Sequence, residues 1–237
     1  MASPQRPCPR RPRIAPALRP LTTAVLLALA ANAGAQVLPT GFVVDTGTVS
    51  TPVINGAGDT MDINQGSQNA IINWETFSIG DGYTVNFNQP GATSIAINRV
   101  LGDSASNIFG NLNSNGNIFL INTNGVLFGA NAQVNVGGLV ASALDIESAD
   151  FDNGVFVFAN AGGDVVNQGS IVAGSGGTVA LLGNEAVNAA GGSIVAPRGS
   201  VIMGSGDRVT LDFEGDGLTQ VTVEGQLVDG LVRNAGL

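Results

Sequence analysis

Histidine and lysine are absent from this 237-residue sequence, and cysteine occurs only once, as Cys8. Without histidine the chain has no imidazole for acid-base catalysis, and a single cysteine is too few for the usual zinc sites. A pair of carboxylates, as in polysaccharide hydrolases, is the remaining catalytic arrangement that the composition permits. The sequence therefore favours a binding or structural role, without a cofactor, over catalysis.

The first 35 residues have the features of an export signal. Five arginines precede an 11-residue apolar run at residues 21–31, and the small residues Ala33 and Ala35 follow it. At about 1.5 Å per helical residue, the run is too short to cross a hydrocarbon core of roughly 30 Å. We therefore predict a signal peptide over residues 1–35, cleaved after Ala35, in preference to a disordered basic tail. Cys8 is removed with it.

Cleavage leaves residues 36–237 as a strongly acidic domain. Four arginines then face 18 acidic residues, so the formal net charge becomes −14 instead of −9. Nucleic acids and anionic membranes bind cationic surfaces, and we expect neither as a partner.

Glycine and asparagine dominate this domain, with 33 and 22 residues, and its apolar residues form short β-branched and aromatic runs. Each run is bounded by Gly, Asn or Asp, as is typical of strands and turns. The runs that we predict as strands are residues 83–87, 94–100, 116–121, 126–129 and 155–158. The fold class is therefore predicted to be all-β.

An internal repeat indicates how the strands are arranged. The sequence Ser-Ile-Val-Ala at residues 170–173 recurs 23 residues later at 193–196, and asparagine precedes both copies, at Asn167 and Asn188. Such a period is typical of a parallel β-helix, in which strands stack on their equivalents in the next coil and asparagines can form a ladder. A β-sandwich would have similar strands but no fixed period. We predict a right-handed parallel β-helix, a single-stranded solenoid.

Two segments depart from this repeat. Residues 207–224 contain alternating apolar residues around a glycine-rich turn, which predicts an inserted antiparallel hairpin. The segment from about residue 37 to residue 77 is expected to form an N-terminal cap, because an unprotected coil would recruit strands from other chains. An Asn-x-Gly sequence starts at Asn234. It predicts further coils downstream, and hence that 36–237 is a fragment or a truncated product.

Two acidic clusters are candidates for chemistry. The first follows the strand that ends near Leu144 and consists of Asp145, Glu147, Asp150 and Asp152. We interpret it as a solvated loop and not as a catalytic pair. The second imitates the start of a calcium loop and consists of Asp212, Glu214 and Asp216. Glu224 falls one position too late for that loop, and a hairpin turn explains the same residues, so we predict no metal site.

A series of motifs resembles the N-terminal secretion domain of the filamentous-haemagglutinin family. The matching segments occur in family order at residues 73–80, 85–90, 97–100, 106–110, 115–129, 134–142 and 144–146. The family signature Asn-Pro-Asn-Gly corresponds to residues 122–125, where Thr123 replaces the proline. Asn124 and Gly125 still supply residues that tolerate a positive φ. A weaker resemblance extends over nearly all of the mature chain.

This resemblance implies two-partner secretion. The exoprotein would cross the inner membrane through the Sec machinery and be recognised by the periplasmic domains of an outer-membrane β-barrel transporter. It would then fold at the surface of a Gram-negative bacterium, or be released. The resemblance assigns the secretion motif to Asn98, Arg99, Asn122, Asn124 and Gly125.

Two other readings remain open at this point: a β-helical enzyme acting on polysaccharide, and the head of a toxin-delivery exoprotein. The toxin reading shares this domain with the haemagglutinin or adhesin reading. Adhesion, haem capture, toxin delivery and any host-cell or matrix ligand are expected to belong to a further C-terminal region.

Overall fold

The computed structural model describes residues 38–213, 220–224 and 230–237, without the side chains of Ser148 and Ala161. The predicted signal peptide, including Ala33 and Ala35, lies outside these residues. Glu214 and Asp216 of the calcium-loop-like sequence also lie outside them. Throughout the described part the regular structure consists of strands, and no helix there is long and apolar enough to span a membrane.

Short strands separated by turns wind into about six coils. The strands before the first coil are β1 (Val43–Thr46) and β2 (Val53–Ile54). Coils 1 to 3 contain β3 (Thr60–Asn64) and β4 (Asn69–Trp74), then β5 (Thr84–Asn88), β6 (Ile95–Val100) and β7 (Ser106–Ile108), then β8 (Asn111–Ser114), β9 (Asn117–Ile121) and β10 (Val126–Phe128).

The last three coils repeat this arrangement with two insertions. In chain order the strands are β11 (Gln133–Val136), β12 (Gly138–Ser142), β13 (Leu144–Asp150), β14 (Val155–Ala161), β15 (Val165–Asn167), β16 (Ser170–Ala173), β17 (Thr178–Leu182), β18 (Glu185–Asn188), β19 (Ser193–Val195), β20 (Ser200–Gly204), β21 (Arg208–Asp212), β22 (Gln220–Glu224) and β23 (Leu231–Asn234). The inserted strands are β13 and β14 in coil 4, and β21 and β22 in coil 6.

Equivalent strands of successive coils pair in parallel and form three long sheets. The first sheet contains β3, β5, β8, β11, β16 and β19; the second contains β4, β6, β9, β12, β17 and β20; the third contains β7, β10, β15, β18 and β23. Alternate residues of each strand point into the solenoid. Ile118 and Leu120 of β9 pack there with Leu139 of β12 and Val179 of β17. The predicted fold class, an all-β parallel β-helix, is confirmed.

The N-terminal segment closes the exposed edges of coil 1. Strand β1 pairs antiparallel with β4, and β2 pairs antiparallel with β3. Phe42 packs edge-on against Trp74, with ring centroids 5.4 Å apart. The predicted cap is therefore confirmed, but its predicted extent to residue 77 was wrong. Residues 60–74 form coil 1, because Met61, Ile63 and Ile72 alternate into the solenoid interior.

The predicted hairpin is confirmed, since β21 and β22 pair antiparallel. It belongs to a larger structure, which we call the outer sheet: an antiparallel sheet with the strand order β13-β14-β21-β22. The prediction of a solvated loop after Leu144 was wrong for Asp145, Glu147 and Asp150, which lie in β13. Leu144 and Ile146 pack against the second sheet, while Asp145 and Glu147 face away from it, which is the alternation of a half-buried strand.

Candidate functional site

A turn formed by Asn122, Thr123, Asn124 and Gly125 joins β9 to β10 in coil 3. The backbone N–H of Gly125 donates to the carbonyl oxygen of Asn122 at 2.9 Å, and the N–H of Asn124 donates to Asn122 Oδ1 at 3.0 Å. Gly125 has a φ of +109°, and a β-carbon there would lie 3.1 Å from the carbonyl oxygen of Asp164 in the next coil. Glycine at position 125 therefore suits this turn, because residues with a side chain rarely adopt such a φ.

The amide groups of this turn tie it to the preceding coil. Asn122 Nδ2 donates to the carbonyl oxygen of Ser104 and to Ser106 Oγ, both at 2.9 Å, and Asn124 Nδ2 donates to the carbonyl oxygen of Gly102 at 2.9 Å. Asn122 is fully buried, whereas Asn124 is exposed. A buried amide with satisfied partners stabilises the fold, so Asn122 acts as a structural clamp between coils 2 and 3.

Asn98 lies inside the solenoid, on β6. Its Oδ1 accepts a hydrogen bond from Trp74 Nε1 at 3.0 Å, and its Nδ2 faces the carbonyl oxygens of Ala96 and Phe119 at 3.2 and 3.3 Å. The side chain is fully buried among apolar residues. It therefore joins the second strands of coils 1, 2 and 3 through polar contacts.

Arg99 points out from the same strand and forms a bidentate pair with Asp145 of β13. Its Nε donates to Asp145 Oδ1 at 2.9 Å, and its Nη2 donates to Asp145 Oδ2. A planar guanidinium is suited to this two-bond geometry. The pair borders a cleft of about 190 Å³, lined by Asp45, Ile71, Asn73, Ile97, Arg99, Ile146, Glu147 and Ala149.

Two further acidic residues of the first cluster, Glu147 and Asp150, also have local partners. Glu147 of β13 forms an ion pair with Arg208 of β21. This ion pair crosses β14, which lies between the two strands. Hydrogen bonds from the side chain and backbone of Asn153 lower the pKa of Asp150 and hold the turn after β13. These contacts make the cluster part of the outer sheet.

The five residues of the predicted secretion motif lie in two adjacent segments but three different environments. Arg99 pairs with Ile121, so the ends of β6 and β9 lie side by side and bring Asn98 and Arg99 next to Asn122. Asn98 points inwards, Arg99 points to the outer sheet, and residues 122–125 form the turn. Trp74 and Ser106 lie within the segments that resemble the family, but the sequence did not identify them as the hydrogen-bond partners of the two buried amides.

Within residues 38–213, 220–224 and 230–237, no three His, Cys, Asp or Glu side chains are grouped as metal ligands. The folded site therefore consists of amides that link coils and of one arginine–carboxylate pair. In the folded domain, the amides of this site form hydrogen bonds between neighbouring coils.

Comparison with known proteins identifies relatives of the domain. A heme/hemopexin-binding protein of Haemophilus influenzae is 34% identical over 217 residues, which cover 88% of this chain and 23% of that protein. A second heme/hemopexin-binding protein of Haemophilus influenzae is 42% identical over 100 residues, which cover 42% of this chain and 11% of that protein. The chain thus spans less than a quarter of the length of these relatives.

The fold is also similar to a solved structure. The crystal structure of the HMW1 secretion domain from Haemophilus influenzae matches with a TM-score of 0.73 at 32% identity, covering 84% of this chain and 52% of that chain. The family described as the TPS secretion domain, the domain of two-partner secretion, matches residues 35–236. This chain belongs to the TPS secretion domain family.

Proposed function

We propose that the chain is the exported secretion domain of a two-partner-secretion exoprotein and that a partner outer-membrane transporter recognises it. The observation that carries the proposal is the family match over residues 35–236, supported by the likeness to the HMW1 secretion domain. After Sec-dependent export and loss of residues 1–35, the extended chain binds the periplasmic domains of the transporter. It folds into the β-helix at the surface of a Gram-negative cell.

The burial of two amides of the secretion motif supports recognition before folding. Asn98 and Asn122 are fully buried, and the polar atoms of both side chains are bonded within the fold. A transporter can therefore reach these two amides only while the chain is unfolded. Extended segments with alternating side chains are suited to β-augmentation, in which a peptide adds a strand to an exposed sheet edge.

The activity of the whole exoprotein belongs, in this proposal, to sequence beyond this domain. The two relatives named as heme/hemopexin-binding proteins share with this chain 23% and 11% of their lengths. Haem capture is therefore the first activity to test, ahead of adhesion or toxin delivery. A polysaccharide-active enzyme has less support, because Asp145 and Glu147 are engaged in ion pairs with Arg99 and Arg208.

The direct test is export with and without the partner. The full chain is expressed with its native transporter, with that transporter deleted, and with it restored, and the domain is quantified in the medium and periplasm. We expect the domain in the medium only when the transporter is present. Equal amounts in the medium of all three strains would overturn the proposal.

A second test separates recognition from folding. Asn122→Ala is compared with Asn167→Ala, which also removes a fully buried, hydrogen-bonded amide but lies outside the motif. If Asn122 acts in recognition, Asn122→Ala reduces export while Asn167→Ala, at a matched loss of stability, does not. Equal export of the two variants would restrict Asn122 to its structural role.

A further inference from the structure

The outer face of the second sheet carries an apolar surface that the solenoid itself does not cover. Ile97 of β6, Phe119 and Ile121 of β9, and Val140 of β12 point away from the interior, and each is at least 97% buried. These side chains lie under the outer sheet, which supplies the buried residues Phe156, Phe158, Val209 and Leu211. The domain therefore has two cores, one inside the solenoid and one outside it.

The second core joins segments that are far apart in the sequence. The ring of Phe119 packs against Phe156 of β14 at 4.9 Å and against Phe213, just after β21, at 6.2 Å. By contrast, the strands beneath it pair with their neighbours in the adjacent coils, as β6 does with β9 and β9 with β12. Coils 2 to 4 can thus pair before residues 208–213 are available, but the second core cannot be completed without them.

The contacts within the outer sheet likewise depend on β21, which comes late in the sequence. Strand β21 pairs with β14, from Val155 with Asp212 to Ala159 with Arg208. Arg208 then bonds to Glu147 of β13 across the intervening strand. Docking of β21 therefore covers Phe119 and holds the β13–β14 hairpin of coil 4 in place.

We propose that the outer sheet is a latch that closes last and completes folding of the exported domain. The proposal rests on the proposed function, since export delivers the chain from its N-terminal end. When coils 1 to 4 have formed outside the membrane, Phe156 and Phe158 of coil 4 can pack on Ile97, Phe119 and Val140, but Val209, Leu211 and Phe213 are still missing from this apolar surface. Docking of β21 closes that surface with Val209 and Leu211, and backward movement of the chain then requires the second core to be broken.

Hydrogen exchange of the purified mature domain tests the latch without reference to export. We expect amides of β14 and β21 to exchange through an opening that leaves amides of β9 and β12 protected, with a difference of at least about 30-fold, because separable units open independently. Exchange of all four strands through a single common opening would overturn the proposal.

Matched variants give a second readout. Leu211 is fully buried against the second sheet, whereas Thr210 is partly exposed on the other face of β21. Leu211→Ala should accelerate exchange in β14 and β21 by about 30-fold or more, as expected for removing a buried leucine side chain, and leave β9 and β12 protected. Thr210→Ala should change the exchange rates neither in β14 and β21 nor in β9 and β12. If Leu211→Ala unfolds the whole domain or leaves β14 and β21 unchanged, the latch is not a separate unit.

Export kinetics connect the latch to secretion. In pulse-labelled cells with the transporter, Leu211→Ala should delay appearance of protease-resistant domain outside the cell, while Thr210→Ala exports like the parent chain. Equal export kinetics of the two variants would show that closure of the latch does not contribute to export. Transporter-independent export would refute the proposed function but leave the exchange result intact, so that the two failures are distinguishable.

Discussion

Trp74 Nε1 donates a hydrogen bond to Asn98 Oδ1 at 3.0 Å inside the solenoid, between the second strands of coils 1 and 2. Because both side chains are buried, Asn98→Ala would leave the indole N–H without this acceptor in an apolar environment. We predict a loss of about 1–3 kcal/mol in the free energy of unfolding. Urea denaturation of the purified domain measures it.

A double-mutant cycle with Trp74→Phe is the control for this prediction. Phenylalanine has no N–H to satisfy, so Asn98→Ala should cost less in the Trp74→Phe background than in the parent chain. We expect a coupling free energy of about 0.5–3 kcal/mol. Additive losses would show that the hydrogen bond is not the source of the effect.

Thr123 occupies the second position of the turn at residues 122–125, which the hydrogen bond from Gly125 N–H to the Asn122 carbonyl closes. Proline fixes φ near −65° and suits this position of a turn. Thr123→Pro should raise the free energy of unfolding by about 0.4–1 kcal/mol by restricting the unfolded chain. Thermal denaturation of both proteins tests the increase.

The neighbouring Gly125→Ala provides the opposite control. A side chain at a φ of +109° is strained and would approach the Asp164 carbonyl oxygen. We therefore expect a lower melting temperature for Gly125→Ala and a higher one for Thr123→Pro. A lower melting temperature for both would show that the turn differs from the geometry described.

The repeat near the C-terminal end was predictable because no insertion lies between β16 of coil 5 and β20 of coil 6. Ser170 pairs with Ser193, and Val179 pairs with Val201, so the repeat in sequence is the pairing register itself. Gln133 pairs with Ser170 across an insertion of two strands. No fixed period links those coils, and their stacking could only be predicted through the family resemblance.

The outer sheet was predicted only in part. The hairpin at residues 208–224 has apolar residues that alternate around a turn, but β13 contains Asp145, Glu147 and Asp150 and was interpreted as a loop. Pairing between β14 and β21 joins two insertions, and local patterns carry no information about which insertions meet. The motif residues were likewise identifiable from the resemblance, whereas the burial of Asn98 depends on which face of β6 turns inwards.

Asn167, Asn188 and Asn234 form the predicted asparagine ladder, at the ends of the paired strands β15, β18 and β23. Asn167 Nδ2 donates to Asn188 Oδ1, and Asn188 Nδ2 donates to Asn234 Oδ1, both at 2.9 Å. Asn188→Ala removes both bonds at a buried position, and we predict a loss of about 1–3 kcal/mol in the free energy of unfolding. Denaturant titration measures the change.

An exposed ladder on the first sheet provides the matched control. Asn135 Nδ2 donates to Asn113 Oδ1 at 3.5 Å, and Asn135 is exposed. Water replaces such a bond, so Asn135→Ala should change the free energy of unfolding by less than about 0.5 kcal/mol. Similar losses for Asn188→Ala and Asn135→Ala would contradict the argument that burial gives the ladder its stabilising effect.

The side chain of Glu185, the first residue of β18, is partly buried in the folded domain. Burial raises the pKa of its carboxyl group, and the nearby Asp164 carboxylate raises this pKa further. A raised folded-state pKa means that the folded state binds the proton more tightly. The resulting stabilisation is fully present below the unfolded pKa of about 4.3 and is lost as the pH rises through the folded pKa.

Glu185→Gln should therefore raise the melting temperature at pH 7, because glutamine has no charge to desolvate. This gain should shrink as the pH falls towards 4, where Glu185 is itself protonated. Melting curves of both proteins between pH 4 and pH 7 test this trend. Asp164→Asn is the control, since it keeps the oxygen that accepts the Glu185 N–H bond at 3.0 Å but removes the charge. In that background the gain from Glu185→Gln should be smaller; an unchanged gain would exclude Asp164 as a cause, and a loss at pH 7 would contradict the raised pKa.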